Sequence, residues 1–144
     1  MYVDKLLLFT AIAGQAVTAA AASTNYLDMG SARDIGAGQP LYVVIVCTIA
    51  MTDGSSDSTL TVDLYGDSTT SFSPDGKQTL FTIPALAAIG DRFVCPIAPE
   101  LTKYQYLELY FTPNNGNLST GTFIAFITTT PQLNAVYADG ITIS

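Results

Sequence analysis

The sequence predicts an all-β fold, a jelly-roll-like antiparallel β-sandwich that carries an N-terminal strand or arm. Two observations predict it: apolar and polar residues alternate with period two in several short segments, and helical periodicity is almost absent. About nine or ten such segments are separated by turns, which is typical of sandwiches and barrels. A chain of 144 residues is long enough for one domain with a core. We therefore expect residues 1–144 to form a single β-sandwich domain, with residues 1–30 as the arm and first strands.

The opening stretch has the outline of a secretory signal peptide, since the apolar run 6–13 precedes the small residues 19–23. The positive bias that such a leader needs is missing, because the acidic and basic residues at its start cancel. The run is also too short for a membrane span, which needs roughly 20 apolar residues. We therefore expect an ordered N-terminal strand, a turn at Gly14-Gln15 and a second strand over residues 17–22.

The most apolar stretch, residues 41–49, is predicted to be a central strand covered on both faces, because it is continuously apolar and rich in β-branched residues. Clean alternation predicts half-buried strands at residues 59–65 and 105–111. The inward-facing residues are Leu60, Val62 and Leu64 in the first, and Leu107, Leu109 and Phe111 in the second. Further strands are expected at residues 78–83, 91–97, 121–128 and, last, 141–143.

Polar segments predict the connections between these strands. Residues 51–58 and 113–117 are interpreted as turns, the second as a hairpin turn at Asn115-Gly116. Residues 66–77 are interpreted as a long polar loop that is exposed enough to contact a partner. Residues 85–89 (ALAAI) are compatible with one helical turn.

A series of short motifs runs through the first third of the chain: MYVDKLLLF at 1–9, QAVT at 15–18, AASTN at 21–25, LDMG at 27–30, ARDIG at 32–36 and PLYVV at 40–44. This opening resembles the small capsid cement proteins of tailed bacteriophages. Beyond Met51 only the rhythm of strands is shared. The resemblance implies a jelly-roll β-sandwich without a catalytic motif. It also implies a role on the outside of a phage head, where the protein locks neighbouring coat subunits together.

The charge content limits the classes of partner. Charged residues make up 12 % of the chain, about half the usual share of roughly 25 %, and the net charge is −7. A weakly charged surface suits permanent contact with neighbours better than life as a free monomer. The five Lys and Arg residues are scattered along the chain. We therefore expect no nucleic-acid partner, which would need a basic patch, and no membrane partner.

Side chains suited to catalysis are scarce. The chain has no histidine, which removes histidine-dependent triads and metal sites. Cys47 and Cys95 lie in apolar runs and are expected to be buried thiols, although a bridge between them stays open. Asp63 and Asp67 could approach each other as an acid–base pair, but we expect one on the outer face of a strand and the other in a loop. We therefore expect no enzyme activity, no cofactor and no metal site.

Both ends of the chain are nearly uncharged, whereas the acidic residues lie mostly in the middle loops. No charged residue falls within residues 6–27, and only Asp139 follows Glu108. Interface cores are depleted of charge, so we expect the two ends to meet partners. The alternative is that both ends pair within the sheets and are simply buried. The candidate capsid or oligomer interface residues are Met1, Tyr2, Val3, Lys5, Leu6, Leu8, Phe9, Arg33 and Tyr137.

The leading hypothesis is a structural virion protein, a cement or decoration protein on the outer surface of the capsid that is made in the bacterial host cytoplasm. Its expected partners are the major capsid protein and other copies of itself, with a homodimer favoured and a trimer as the alternative. The competing hypothesis is a secreted β-sandwich module for carbohydrate binding or adhesion. The tyrosines that could stack on sugars are Tyr42, Tyr65, Tyr106 and Tyr110.

Overall fold

The computed structural model describes residues 8–28, 41–71, 75–98, 101 and 104–128. Within these ranges the chain forms β-strands and no α-helix. The strand predicted at residues 141–143 lies outside the described residues. The strands are β1 (Gln15–Ala16), β2 (Ala21–Ala22), β3 (Leu27–Asp28), β4 (Tyr42–Thr52), β5 (Thr59–Asp67), β6 (Gly76–Ile83), β7 (Arg92–Pro96), β8 (Tyr106–Asn114) and β9 (Thr120–Thr128).

The strands form two antiparallel sheets that pack face to face. The first sheet has the order β1-β9-β4-β7. The second has the order β2-β8-β5-β6, and β3 pairs with β8 on the same side as β2. Strands that follow each other in the chain, such as β4 and β5 or β8 and β9, lie in different sheets. This is the strand order of a jelly roll, so the predicted fold class is confirmed.

The core lies between the two sheets and is built from the alternating residues of the central strands. In β4, Val43 and Ile45 face inward, and the whole run from Val43 to Cys47 is buried on both faces. Leu60, Val62 and Leu64 of β5 are fully buried, as are Leu107, Leu109 and Phe111 of β8. The central position of β4 between β9 and β7 and both alternation predictions are confirmed.

Two ends of the sandwich can be named after β4. The Met51 end carries the turn after β4, the loop between β6 and β7, and the turn between β8 and β9. The Tyr42 end lies opposite, where Tyr42 pairs with Thr128 at the last residue of β9. Asp67 and Tyr106, the end of β5 and the start of β8, are paired at the same end.

Residues 8–28 close one side of the sandwich with short pairings, which differs from the predicted turn at Gly14-Gln15 and the predicted strand over residues 17–22. Gly14 adopts a positive φ of 95° and its N–H donates to the Ala11 carbonyl at 2.8 Å, so the turn lies at residues 11–14. Gln15, expected in that turn, instead begins β1 on β9. The chain then crosses to the second sheet, where β2 and β3 pair with β8. A chain that feeds both sheets cannot hold one long strand, which is why the pairings are short.

The opposite side of the sandwich is held by a side chain. Gln78 on β6 donates from Nε2 to the Pro96 carbonyl at 3.1 Å, and its Oε1 accepts from the Ala98 N–H at 2.8 Å. Phe81 and Phe93 stack across the same side with ring centroids 5.8 Å apart. Pro96 is the last residue of β7, which is the edge strand of the first sheet, in agreement with the sequence-based expectation for a proline.

Two connections differ from their predictions. The turn at Asn115-Gly116 has positive φ at both residues, 64° and 112°, but it joins β8 to β9 in different sheets and so is not a hairpin turn. The polar loop predicted from Gly66 is shorter than expected, because Gly66 and Gly76 still pair within β5 and β6. The Tyr104 ring lies against this glycine pair, where an added Cβ on Gly76 would come within 2.6 Å of it. The close approach of the ring explains why both positions lack a side chain.

Candidate functional site

The Tyr42 end is where the described part of the chain begins and ends. Leu8 pairs with Phe126 through an isolated β-bridge, and Tyr42 pairs with Thr128. Asp28, the last described residue before Leu41, pairs with Tyr106 at the same end. Residues 1–7, 29–40 and 129–144 are therefore all joined to one end of the sandwich. The candidate interface residues Met1, Tyr2, Val3, Lys5, Leu6, Arg33 and Tyr137 belong to these segments and lie outside the described residues.

Leu8 and Phe9, the two remaining candidates for the interface, are buried within the chain. Phe9 is fully buried in the main core, and its N–H donates to the Ala125 carbonyl at 2.9 Å. Leu8 is 3 % exposed and packs on the outer side of the first sheet. Packing within the chain explains why both residues are apolar. The expectation that they also contact a partner stays a prediction.

The outer side of the first sheet is apolar, and we call it the apolar face. Val44, Val46 and Phe126 point outward from the central strands, yet each is almost fully buried in a second cluster with Leu8. Ile124 packs against this cluster. The face continues into side chains that remain at the surface, including Val94 on β7. An outward-facing cluster of this kind has no counterpart in the alternation rule, which expects polar residues there.

Three exposed aliphatic side chains lie near the Met51 end of the first sheet. Ile49 on β4 is 52 % exposed, Leu86 is 52 % exposed and Ile89 is 71 % exposed. We call these three residues the aliphatic patch. Leu86 and Ile89 belong to the loop between β6 and β7, which forms turns rather than the single helical turn compatible with the sequence. Sequence reasoning missed the patch, although the short apolar run between Pro84 and Gly90 was a signal for it.

Exposed acidic side chains occupy the same end of the molecule. Asp53 organises the turn after β4, since its carboxylate accepts from the N–H groups of Ser55 and Ser58 at 3.1 and 3.4 Å. Desolvation opposes ionisation of Asp53, but hydrogen bonds from Ser58 and Ser55 outweigh it and lower the pKa of the carboxyl group. The turn after β4 therefore carries an ionised Asp53 carboxylate, and Asp57 in the same turn is exposed.

The outer side of the second sheet carries Tyr65, Tyr106 and Tyr110, and we call it the tyrosine face. The Tyr65 ring stacks on Tyr110 with centroids 5.6 Å apart and an interplanar angle of 18°. Lys77 Nζ also lies over the Tyr65 ring, 5.9 Å from its centroid. Both neighbours of the ring therefore belong to this chain. Tyr42, the remaining tyrosine of the sugar-binding hypothesis, belongs to the first sheet.

Asp63 and Asp67 lie on the tyrosine face but do not form an acid–base pair. Asp63 faces outward as expected, yet it is only 5 % exposed, accepts from Thr79 Oγ1 at 2.7 Å and pairs with Lys77 Nζ at 3.4 Å. Asp67 is the last residue of β5 rather than a loop residue, and it accepts from the N–H of Thr69 at 2.8 Å. Four residues along a strand separate them by about 13 Å, beyond the reach of a shared proton.

Cys47 and Cys95 are free thiols; Cys47 is buried as predicted, whereas Cys95 is only partly buried. Cys95 pairs with Val43, which lies four residues from Cys47 along β4, so their Cα atoms are about 13 Å apart. A disulfide needs Cα atoms within about 7 Å, so the two do not bridge in this fold. Burial raises the pKa of both thiols, and a nearby Asp91 carboxylate raises the pKa of Cys47 further. Thiols of this kind are poor nucleophiles at neutral pH.

The described residues form neither a metal-binding cluster nor a membrane-spanning helix. No group of three or more Cys, Asp or Glu side chains in the described ranges is arranged to hold a metal ion. Among the same residues there is no helix whose length and apolar character would let it cross a membrane.

Comparison with known proteins places the sandwich in a family. The family model Bbp16 matches residues 11–127. The chain belongs to the Bbp16 family. The Bbp16 match begins in the turn before β1 and ends one residue before the end of β9, so it covers both sheets. No curated protein sequence matches the chain at a significant level.

Proposed function

We propose that this chain is a capsid cement protein, a structural virion component that binds the outer surface of a tailed-phage head. In that role it clamps neighbouring major capsid protein subunits and stabilises the shell by binding alone. The proposal starts from the resemblance of residues 1–44 to phage cement proteins. Membership of the Bbp16 family and the jelly-roll fold are compatible with it.

The observation that carries the proposal is the attachment of three chain segments to one end of a closed sandwich. Residues 1–7, 29–40 and 129–144 hold seven of the nine candidate interface residues, namely Met1, Tyr2, Val3, Lys5, Leu6, Arg33 and Tyr137. They are joined to the Tyr42 end through Leu8, Asp28 and Thr128. A partner bound at the Tyr42 end would therefore lie beside the points where all three segments join the sandwich.

The geometry around Leu8 suits a mechanical role. Leu8 is bridged to Phe126 on β9 and packs on Val44 and Val46 of β4. A pull on residues 1–7 therefore reaches the two central strands of the first sheet directly. Force between coat subunits would then be distributed over many hydrogen bonds of the first sheet. It would not act on a terminal loop alone.

Association would follow from burial of apolar surface and from repetition. An interface of roughly 1,600 Å² at about 25 cal/mol per Å² gives a large gross gain, much of which offsets the loss of freedom on binding. A homodimer, with a trimer as the alternative, would present two or three identical sites to the shell and gain avidity. The location that follows is the outer capsid surface, after synthesis in the bacterial host cytoplasm.

The test is sedimentation with phage heads. Heads that lack this chain are mixed with the purified protein and pelleted, and the bound fraction is measured against protein concentration. The intact chain should pellet with heads, and a variant lacking residues 1–7 should lose most of that binding while its β-sheet circular dichroism persists. Leu8 is kept in the variant because it belongs to the second cluster.

A chain in which residues 1–7 are replaced by an equally long Gly/Ser segment is the matched control for length. If the deletion binds as well as the intact chain, residues 1–7 are not a contact. If the intact chain itself stays in the supernatant at all concentrations, the cement function is wrong.

A further inference from the structure

The loop between β6 and β7 is hydrogen-bonded to β4, although its Leu86 and Ile89 side chains are exposed. The Met51 N–H donates to the Ala87 carbonyl at 2.9 Å, and the Gly90 N–H donates to the Cys47 carbonyl at 2.8 Å. Ala87 is buried in the main core. Asp91 accepts from the Ala88 N–H at 2.9 Å and closes the loop on itself. The loop thus has a buried anchor at Ala87 and hydrogen bonds to the central strand β4, and we call it the platform.

The platform holds Leu86 in an unfavourable backbone conformation. Leu86 has a φ of 61°, in the left-handed region that a bulky side chain rarely adopts. In that conformation its side chain is 52 % exposed, beside the exposed Ile89. Strain that serves no packing within the molecule is expected at sites with a function.

The hydrogen bonds also place this loop beside Ile49. The bonds from Met51 and to Cys47 lie on either side of Ile49 along β4, so Leu86 and Ile89 occupy the adjacent position in the sheet. The aliphatic patch is thus built from two elements that are hydrogen-bonded together. Exposed apolar side chains grouped on neighbouring segments are typical of interaction sites in soluble proteins.

The border of the patch is acidic. Asp53 and Asp57 lie in the turn that follows β4, and Asp91 ends the loop that carries Leu86 and Ile89. Arg92 is the one basic residue of the described chain near this end, and Lys77 lies at the Tyr42 end of β6. A partner that fits must therefore offer an apolar patch bordered by Lys or Arg side chains.

We propose that the aliphatic patch is a second docking site for the major capsid protein, at the end of the sandwich opposite the Tyr42 end. This inference rests on the proposed cement function and adds a second contact to it. The patch binds an apolar area of one coat subunit whose border is basic, while the Tyr42 end binds another subunit. The strands between the two contacts are about 30 Å long, so a rigid sandwich spans the joint between neighbouring subunits.

Charge argues for a coat subunit rather than a second copy of this chain. Two copies that met patch to patch would bring Asp53, Asp57 and Asp91 of each against the same acids of the other. Like charges facing each other across an interface are unfavourable. A basic-bordered surface on the shell turns the same acids into favourable contacts.

The test uses substitutions that separate binding from folding. Leu86→Gly removes the side chain and places the residue with the least steric cost at a positive φ, so its thermal stability should equal or exceed that of the intact chain. Binding of Leu86→Gly and Ile89→Ser to heads should each fall about tenfold, the size expected for one buried aliphatic contact. Asp57→Lys should also weaken binding, and the loss should shrink as salt is raised.

Ile12→Ser is the matched control, because Ile12 is equally exposed at 71 % but lies beside β1 at the other edge of the first sheet. Its binding should match the intact chain. If the intact chain pellets with heads and the two patch variants pellet equally well, the patch is not a docking site while the cement function stands. If no protein pellets, the cement function fails first. If sedimentation of the free protein shows a dimer that Ile89→Ser dissolves, a second copy occupies the patch and the inference is wrong.

Discussion

The two outer faces of the sandwich come from the same kind of alternating strand but differ in what they carry. The apolar face buries Val44, Val46 and Phe126 in a cluster of its own and leaves Val94 and Ile49 at the surface. The tyrosine face carries Tyr65, Tyr110 and Asp63 among threonines and Lys77. Its groups bond to one another, through the stacked rings and the contacts of Asp63 with Thr79 and Lys77.

The difference shows which sheet has an outer face whose side chains satisfy one another without a partner. On the tyrosine face the polar and aromatic side chains satisfy each other and can remain in water without cost. On the apolar face each exposed Å² of aliphatic surface costs about 25 cal/mol relative to a buried one. The first sheet therefore gains more from a protein partner than the second. The occupied ring of Tyr65 also gives the sugar-binding hypothesis no support.

The largest expected effect is on the free energy of unfolding. It tests whether the buried cluster on the apolar face stabilises the fold as much as the main core does. Phe126→Ala should lower the free energy of unfolding by about 3–5 kcal/mol, as expected for a fully buried phenylalanine. Phe123→Ala on the inner side of the same strand is the reference, since Phe123 is equally buried. Urea unfolding followed by circular dichroism measures both. A loss below about 1 kcal/mol for Phe126→Ala alone would mean that the outer cluster contributes little, and the contrast between the faces would weaken.

A smaller effect is expected on the tyrosine face. Asp63→Ala removes the acceptor of Thr79 and the partner of Lys77, and should lower the free energy of unfolding by about 1–2 kcal/mol. Lys77→Ala should cost less than about 0.5 kcal/mol, because the Lys77 side chain is 55 % exposed and can turn to water. Equal losses from the two variants would show that the ion pair, and not the hydrogen bond from Thr79, holds Asp63.

The smallest effect depends on pH. Burial raises the pKa of Glu108, which pairs with Tyr65 on the tyrosine face, above its ordinary value of 4.5. The folded state then binds the proton more tightly than the unfolded state, so stability falls as pH rises from the unfolded pKa through the folded pKa. Glu108→Gln removes this loss and should raise the free energy of unfolding at pH 7 by about 0.5 kcal/mol or less.

Thermal melts of the intact chain and Glu108→Gln between pH 3 and pH 8 measure the effect. The two curves should converge below about pH 4, where Glu108 is protonated in both states. A difference that is constant across this range would have a cause other than ionisation of Glu108.

The sequence predicts best the strands that lie inside a sheet, with a partner strand on each side. Alternation located β5 and β8 with their inward residues, because each has a sheet partner on both sides and one face in the core. The continuous apolar run located β4, since its outer side is also covered. Residues 8–28 could not be read in this way, because pairs of two residues on different sheets leave no period in the sequence.

The candidate site is predictable only in part, for a related reason. The uncharged stretch 6–27 indicated an interface, yet its described residues pair with β8 and β9 inside the chain. The sequence did not indicate the aliphatic patch, because Ile49 and Leu86 come from distant segments and meet through backbone hydrogen bonds. The burial of Asp63 was missed because alternation gives the side of a strand but not what the neighbouring strands place beside it.

The position of β9 has a consequence for how the chain is made. β9 is the last strand described, yet it lies inside the first sheet between β1 and β4. The hydrogen bond from the Ala125 N–H to Thr10 Oγ1 joins residues 115 positions apart. During synthesis the first sheet therefore cannot form until β9 has left the ribosome. Until then β4 lacks the strand with which it makes its longest pairing. Throughout that interval residues 8–28 lack their β9 partner, and an unpaired segment of this kind is a site where two copies can exchange strands.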